Sequence, residues 1–494
     1  MGVNTTFLKF ITIKINCHGG ILSTGGLNQV LDILKDIYIE RIRFGLRQCI
    51  YVEVHRYIVD YFIKRIELIG IECEVNSDHF PNIVSGYPAE ELFLTTTWLS
   101  EGVYKDILDT LDYKPRFKIN LVDSIQSFTP LFTGNINWVA SIRHAQYWHL
   151  YLRFPKTNIV KQWKSMVYTT DLMRFSKRLE TYILDQAAFN SASDSSYMEL
   201  LIRHMDEADW ISIINDEHLD LSPFSMAYYE GLNKQDEDHY WLGIYKRDEG
   251  YSVHFLKDLC TLCLDTRIGQ ICTTPWKSII IKGIEAKDRS LWNQLLNRHA
   301  INVRHALNEL NFQLEDNSTT ALQLKKYLVH HFNVDDTRTQ GICFGIKTRP
   351  KSEIFCNILI RKRYLIHLGP IRLLPAYDIL VAKDFNPNER TGYVFASALF
   401  KYLLPDQLIN CITSYYRKYA IQQHQIEEPS IDQNLTAIPE SSDSTHIFQC
   451  PHCLTWTEEG MDSAMLQDYQ CTVCEAPGID FKWIDRSVLL TEMA

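Results

Sequence analysis

"GGILSTGGLNQVLDILKDIYIERIRFGLRQCIYVEV", residues 19–54, decides how the rest of the chain reads. A Gly-Gly pair opens it. "GGLNQVLDILKDI" then sets apolar residues at helical spacing, and "ERIRFGLRQCIYVEV" alternates as a strand. Just upstream, "FITIKIN" alternates as a strand, and "RYIVDYFIKRIEL" downstream predicts a second helix. Together they predict one βαβα unit.

The same order of elements returns roughly 229 residues later. "YWLGIYK" reads as a strand, "SVHFLKDLCTLCL" as a helix, "GQICTTPWKSIIIKGI" as a strand and "AKDRSLWNQLLNRHA" as a helix. Four elements in constant register predict a duplicated α/β body with a pseudo-twofold. Each unit is followed by a long mixed segment, "PRFKINLVDSIQSFTPLFTGNINWVASIRHAQYWHLYLRFP" and "RTQGICFGIKTRPKSEIFCNILIRKRYLIHL". Their alternation and turn residues predict hairpins or a meander. The expected fold class is therefore α+β, with a first repeat over 1–235 and a second over 236–420.

Residues 421–446 are rich in Gln, Ser, Pro and acid, contain no Lys or Arg, and read as a flexible linker. The module at 447–494 is too small for a large core and calls for a metal or a partner. Its four cysteines, Cys450, Cys453, Cys471 and Cys474, form two Cys-x-x-Cys knuckles that complete a tetrahedron around one ion. Spacing leaves iron and zinc open. The neighbours in a Cys-x-x-Cys pair make poor disulfides.

A formal charge of −10 over 494 residues excludes a general nucleic-acid binder, which needs a basic face. No run of eighteen apolar residues suggests a membrane span. "MGVNTTFLKFITIKIN" lacks the features of a signal peptide, and its Met-Gly start is too short a match to carry a myristoylation reading. Thirteen cysteines, nine of them scattered in apolar or mixed segments, fit free thiols in a reducing cytoplasm. No P-loop, Gly-x-Gly-x-x-Gly, Gly-x-Ser-x-Gly or His-Glu-x-x-His occurs.

The opening stretch resembles the ferredoxin-like half-domain of the sirohaem nitrite and sulfite reductases. That family has a Gly-Gly turn, a helix, and a strand marked Arg-x-Thr-x-Arg-Gln; here the mark stands as Arg43, Gly45, Arg47 and Gln48. "ICTTPWKSIIIKGI" is similar to the family's other half, where Thr-Pro-x-Gln opens the strand. Thr274 and Pro275 match, and Lys277 takes the Gln position. The resemblance implies that Arg43, Arg47 and Lys277, with Arg41, Arg349, Lys351 and residues 361–363, hold tetrapyrrole carboxylates or a small anion. The ordinary alternative is a set of strand-edge ion pairs. The family's Cys-x5-Cys and Cys-x3-Cys pattern is missing from the body, where Cys343, Cys356 and Cys411 stand at other spacings. Sirohaem with a 4Fe–4S cluster is therefore not expected.

The flanks of the four cysteines look like a rubredoxin. Aromatic residues stand two places before the first and third cysteines, and Ala-Pro and Asp-Phe follow the fourth. This likeness implies one iron in a four-cysteine site, shielded from water by Phe448, Tyr469 and Phe481, with zinc as the alternative. It points to an electron carrier or oxidoreductase component. The expected partner is a redox protein, either a nitrite or sulfite reductase or a reductase that donates electrons, with no nucleic acid and no membrane. The competing expectation is a scaffold with structural zinc and a tetrapyrrole- or partner-binding body.

Overall fold

The computed structural model describes residues 9–93, 98–155, 159–185, 195–217, 224, 226–349, 354–368, 371–389, 391–427, 447–449 and 481–484. The chain divides into two compact units, Met1–Ile421 and Gln422–Ala494.

The first unit starts with β1 (Phe10–Ile15), β2 (Ile21–Ser23), α1 (Thr24–Asp36), β3 (Arg41–Phe44), β4 (Ile50–His55), α2 (Val59–Leu68) and β5 (Cys73–Val75). Ser23 caps α1 by accepting from the Gly26 amide at 3.4 Å, and Leu27, Val30, Leu31 and Leu34 form its buried stripe. There follow β6 (Val84–Ser85), α3 (Glu101–Asp109), β7 (Ile119–Val122), β8 (Ile136–Ala140), β9 (Tyr147–Arg153), β10 (Val160–Gln162), β11 (Ser165–Tyr168), α4 (Leu172–Asp185), α5 (Ser195–Asp206) and β12 (Ser212–Ile214).

The pattern then returns with β13 (Gly231–Lys234), β14 (His239–Ile244), β15 (Tyr251–Ser252), α6 (Val253–Asp265), β16 (Gln270–Thr273), β17 (Ile279–Glu285) and α7 (Arg289–Arg298). There follow α8 (Leu307–Leu310), β18 (Phe312–Leu314), α9 (Thr319–Val334), β19 (Phe344–Lys347), β20 (Ile358–Leu368), β21 (Ile371–Ala382), β22 (Gly392–Leu399) and α10 (Leu404–Glu427), whose last residues pass the unit boundary at Ile421.

"ERIRFGLRQCIYVEV", expected as one strand, is a hairpin: β3 and β4 pair antiparallel around residues 45–49. "GQICTTPWKSIIIKGI" is likewise β16 and β17 around residues 274–278. The reason lies in Gln48 and Lys277, each at φ +57°. Sequence reading expects glycine or asparagine at such a place, so neither turn carries its usual signature.

Two five-stranded sheets result, ordered β15-β3-β4-β1-β5 and β13-β14-β17-β16-β2. Each takes its edge strand from the other half of the sequence: β15 pairs with β3, and β2 with β16. Helices α1 and α6 pack together, with Lys257 and Asp32 paired at 2.6 Å. One apolar core runs through both sheets and includes Ile13, Leu31, Val52, Leu256 and Ile281. The boundary expected at 235/236 divides the sequence but not this core.

The two segments expected as hairpins or a meander belong to mixed sheets: β8 and β9 make an antiparallel hairpin in the first, beside parallel neighbours. Strands β6, β7 and β8 are parallel neighbours, as are β18, β19 and β20; β9 and β21 then join antiparallel. Parallel pairs need crossovers, and α3 and α9 supply the first of each, upstream of the segments read as meanders. Every residue of β7 and β8 is buried, so these strands lie inside the protein on both faces.

Helix α10 continues to Glu427, into the stretch expected as linker. Gln, Ile and Glu sustain a helix, and the first breaker is Pro429. In the second unit, β23 (Ile447–Gln449) pairs antiparallel with β24 (Lys482–Ile484), placing Phe448 opposite Trp483. Cys450, Cys453, Cys471 and Cys474 lie outside the described residues. Among the described residues no helix is long and apolar enough to cross a membrane.

Candidate functional site

The two hairpin turns meet the mixed sheets and frame the site. In the first, Arg47 spreads over backbone acceptors: its guanidinium donates to the Asn82 carbonyl at 2.6 and 2.9 Å, to the Ile119 carbonyl at 2.9 Å and to Asn120 Oδ1 at 3.2 Å. Burial lowers its pKa to about 10, which still leaves it charged at neutral pH. Gln48 points the other way. Its amide donates to the Ser85 and Thr273 carbonyls and accepts from the Ser85 N–H at 2.8 Å, tying β6 to β16. Gly20, at φ +78°, makes room for it: a Cβ there would lie 2.5 Å from both Gln48 Nε2 and the Thr273 oxygen.

In the second turn Trp276 enters an aromatic core, its indole N–H donating to the Phe128 carbonyl at 3.0 Å. Lys277 is buried and ion-paired, with Nζ 2.9 Å from Glu249, 3.4 Å from Asp316 and 3.2 Å from the Glu315 carbonyl. This arrangement desolvates three charges, so the ammonium has to compensate two carboxylates.

Beside the turns lies a cavity of about 310 Å³, lined by Leu46, Arg47 and Tyr51 on one side and Pro275 on the other. Three cations in its walls, Arg47, Lys118 and Arg349, face three carboxylates, Asp78, Glu315 and Asp316. Tyr51 donates to Asp316 at 3.5 Å. Burial raises the Asp316 pKa despite the opposing pull of Lys277. Burial also pushes the Cys49 thiol behind the turn up to about 12, with the Asp316 charge adding to it. The near balance of charge and the small volume suit a small polar ligand.

Of the expected basic residues, Arg47 and Arg349 are brought to this cavity. Lys277 stands behind Asp316. Arg43 pairs with Glu53 at 2.9 Å and lies outside the lining, while Arg41 pairs with Asp248 at 2.9 Å. Arg361 and Arg363 both converge on Asp378 at 2.9 Å. Lys351 is outside the described residues. Lys118, Tyr51 and Asp316 were missed as a group. Lys118 reads as an ordinary strand charge, and Asp316 sits in "LEDN" with no partner visible in sequence.

A sirohaem bridged to an iron–sulfur cluster needs cations available to its carboxylates and cysteine thiolates grouped around the cluster. The described residues do not fit it. None of the nine described cysteines forms a disulfide, and none lines the cavity. Cys343 is buried, donates to the Phe355 carbonyl at 3.3 Å and has its pKa driven well up by burial. Cys260 and Cys263 are buried on α6, and Cys411 on α10; burial raises Cys260 and Cys411 to about 12. Arg43, Arg47 and Lys277 are all committed to protein acceptors.

No family model matches this chain, and no curated protein matches it either. Among solved structures, the NirA protein of Mycobacterium tuberculosis is similar, with a TM-score of 0.60 at 12% identity, covering 86% of this chain and 83% of that one. At that identity the likeness is one of fold. It supports a nitrite/sulfite reductase-like α+β fold for this chain.

Proposed function

We propose that this chain is an electron-transfer protein in which Cys450, Cys453, Cys471 and Cys474 hold one iron. The observation that carries the reading is the contrast among thiols. Four stand in two Cys-x-x-Cys pairs at metal-ligand spacing in the sequence, whereas the nine described cysteines of the body form no disulfide and are mostly buried. When bound, such an iron supplies one-electron exchange. The chain's own part is to hold it through the four sulfurs and to keep water away. The buried ring of Phe448, on the strand residue opposite Trp483 and two places before the first cysteine, supports that shielding role.

The reductase-like body then serves as a docking platform for a redox partner in a reducing cytoplasm, a nitrite or sulfite reductase or the reductase that feeds it. An internal duplication belongs to the same proposal. The reciprocal edge-strand exchange and the paired turns support it. The test is metal analysis with an absorption spectrum on the purified chain. One iron and a visible thiolate-to-iron band that bleaches on reduction are expected. A colourless protein with one zinc overturns the proposal.

In a second reading zinc staples the small module and the body grips a small ligand, a tetrapyrrole or an assembly partner; the cavity beside the turns favours the small ligand. Titration with sirohaem decides the tetrapyrrole form of it. A spectral shift that is lost in Arg47→Ala supports it, and an unchanged spectrum removes it.

A further inference from the structure

We propose that His254, Asp258 and His299 form a surface site for a borderline divalent cation, zinc first, at the junction of α6 and α7. It is independent of the cysteine module. His254 and Asp258 stand four residues apart on α6 and so share one face, while His299 caps the C-terminus of α7. Their ligating atoms all lie within 4.8 Å of one another. His299 Nε2 is 2.8 Å from Asp258 Oδ2, and His254 Nδ1 is 4.0 Å from the same oxygen.

A tetrahedral zinc with bonds of about 2.0–2.2 Å needs ligand atoms about 3.4 Å apart. The three atoms already bracket that spacing, so rotamer adjustments suffice. Two imidazoles and a carboxylate are the donor set that selects zinc and its late transition-metal neighbours over magnesium or calcium. The ring of Phe255, edge-on to His299 at 5.4 Å between centroids, helps to orient that imidazole. The two rings of His254 and His299 lie 5.2 Å apart. Arg298 is the competitor at 3.4 Å from Asp258, but its side chain is 65% exposed and can swing into solvent.

Three protein ligands leave one tetrahedral position for water or a small anion. His254 and Asp258 also line a groove of about 570 Å³ of mixed charge, with Lys35, Glu40 and Arg41 in its walls, so the open position faces accessible space. The cation would clamp the end of α7 to α6.

The test uses the full chain with its cysteine module already filled and excess metal removed, titrated with zinc chloride by calorimetry. One further equivalent is expected. His254→Ala, a residue 77% exposed and therefore safe for folding, should weaken that event roughly tenfold or more, as should Asp258→Asn. Magnesium chloride should give no heat of binding. Absence of the extra equivalent, or a His254→Ala isotherm that overlays the parent, overturns the site. Replacing the module's cysteines must leave this event in place, so the fate of the electron-carrier reading does not affect the outcome.

Discussion

The turns at 45–49 and 274–278 share a backbone and differ in what their side chains hold. The Gly45 amide donates to the Cys49 carbonyl and the Gln48 amide to that of Gly45; Thr274, Ser278 and Lys277 repeat this, all at 2.9–3.1 Å. The first turn directs a guanidinium onto carbonyls and a neutral amide inward. The second directs an indole into an aromatic core and an ammonium inward. The residue opposite changes in step, for Gly20 faces Gln48 where Glu249 faces Lys277. One strained frame thus accepts either a neutral or a charged residue, provided that its counterpart is matched.

Lys277→Gln should break the comparison most. It leaves the buried Glu249 and the partly exposed Asp316 without their cation and should cost about 3 kcal/mol in urea unfolding. The sign with pH follows from burial, which holds the Asp316 pKa above its unfolded value. The folded state then binds more protons in that interval, so stability falls as pH rises through it and recovers on acidification. The loss in the variant should therefore be larger at pH 8 than at pH 5; a pH-independent loss would show that charge is not the distinction between the turns.

Arg47→Met should cost about 1–3 kcal/mol, because the Asn82 and Ile119 carbonyls lose their donor while the neighbouring cavity admits water. This loss should be flat from pH 5 to 8, since Arg47 stays charged throughout; a steep pH dependence would move Arg47 into the class of Lys277. Cys49→Ser sharpens the comparison at its weakest point, because Ser278 already fills the matching place in the other turn. With Tyr51 beside it as a partner for the new hydroxyl, the change should cost about 1 kcal/mol or less by the same unfolding assay.

Much of the body was legible because amphipathic helices announce themselves locally. The stripe of α1 and the matching stripe of α6 are visible as 3.6-residue spacing, and the Gly19–Gly20 turn is where the family resemblance puts it. The hairpins were not legible. Gln48 and Lys277 adopt left-handed backbone without being glycine or asparagine, held there by hydrogen bonds to distant elements. The parallel sheets were misread for a related reason: strands buried on both faces lose the alternation that marks a meander, and their crossover helices lie outside the strand-rich window.

Taken alone, the sequence determined where α1, α2, α6 and α7 run and that the same order of elements recurs in two places, and it set the expectation of one metal at four cysteines. These follow from local spacing, which survives in any tertiary context. The tertiary structure alone decided what each charge meets. Arg43, Arg361 and Arg363 go to carboxylates, Lys277 is consumed by Glu249 and Asp316, and Arg47 reaches the cavity wall beside Lys118 and Arg349. A cation's role depends on the acceptor it meets, and those acceptors come from strands far away in the chain.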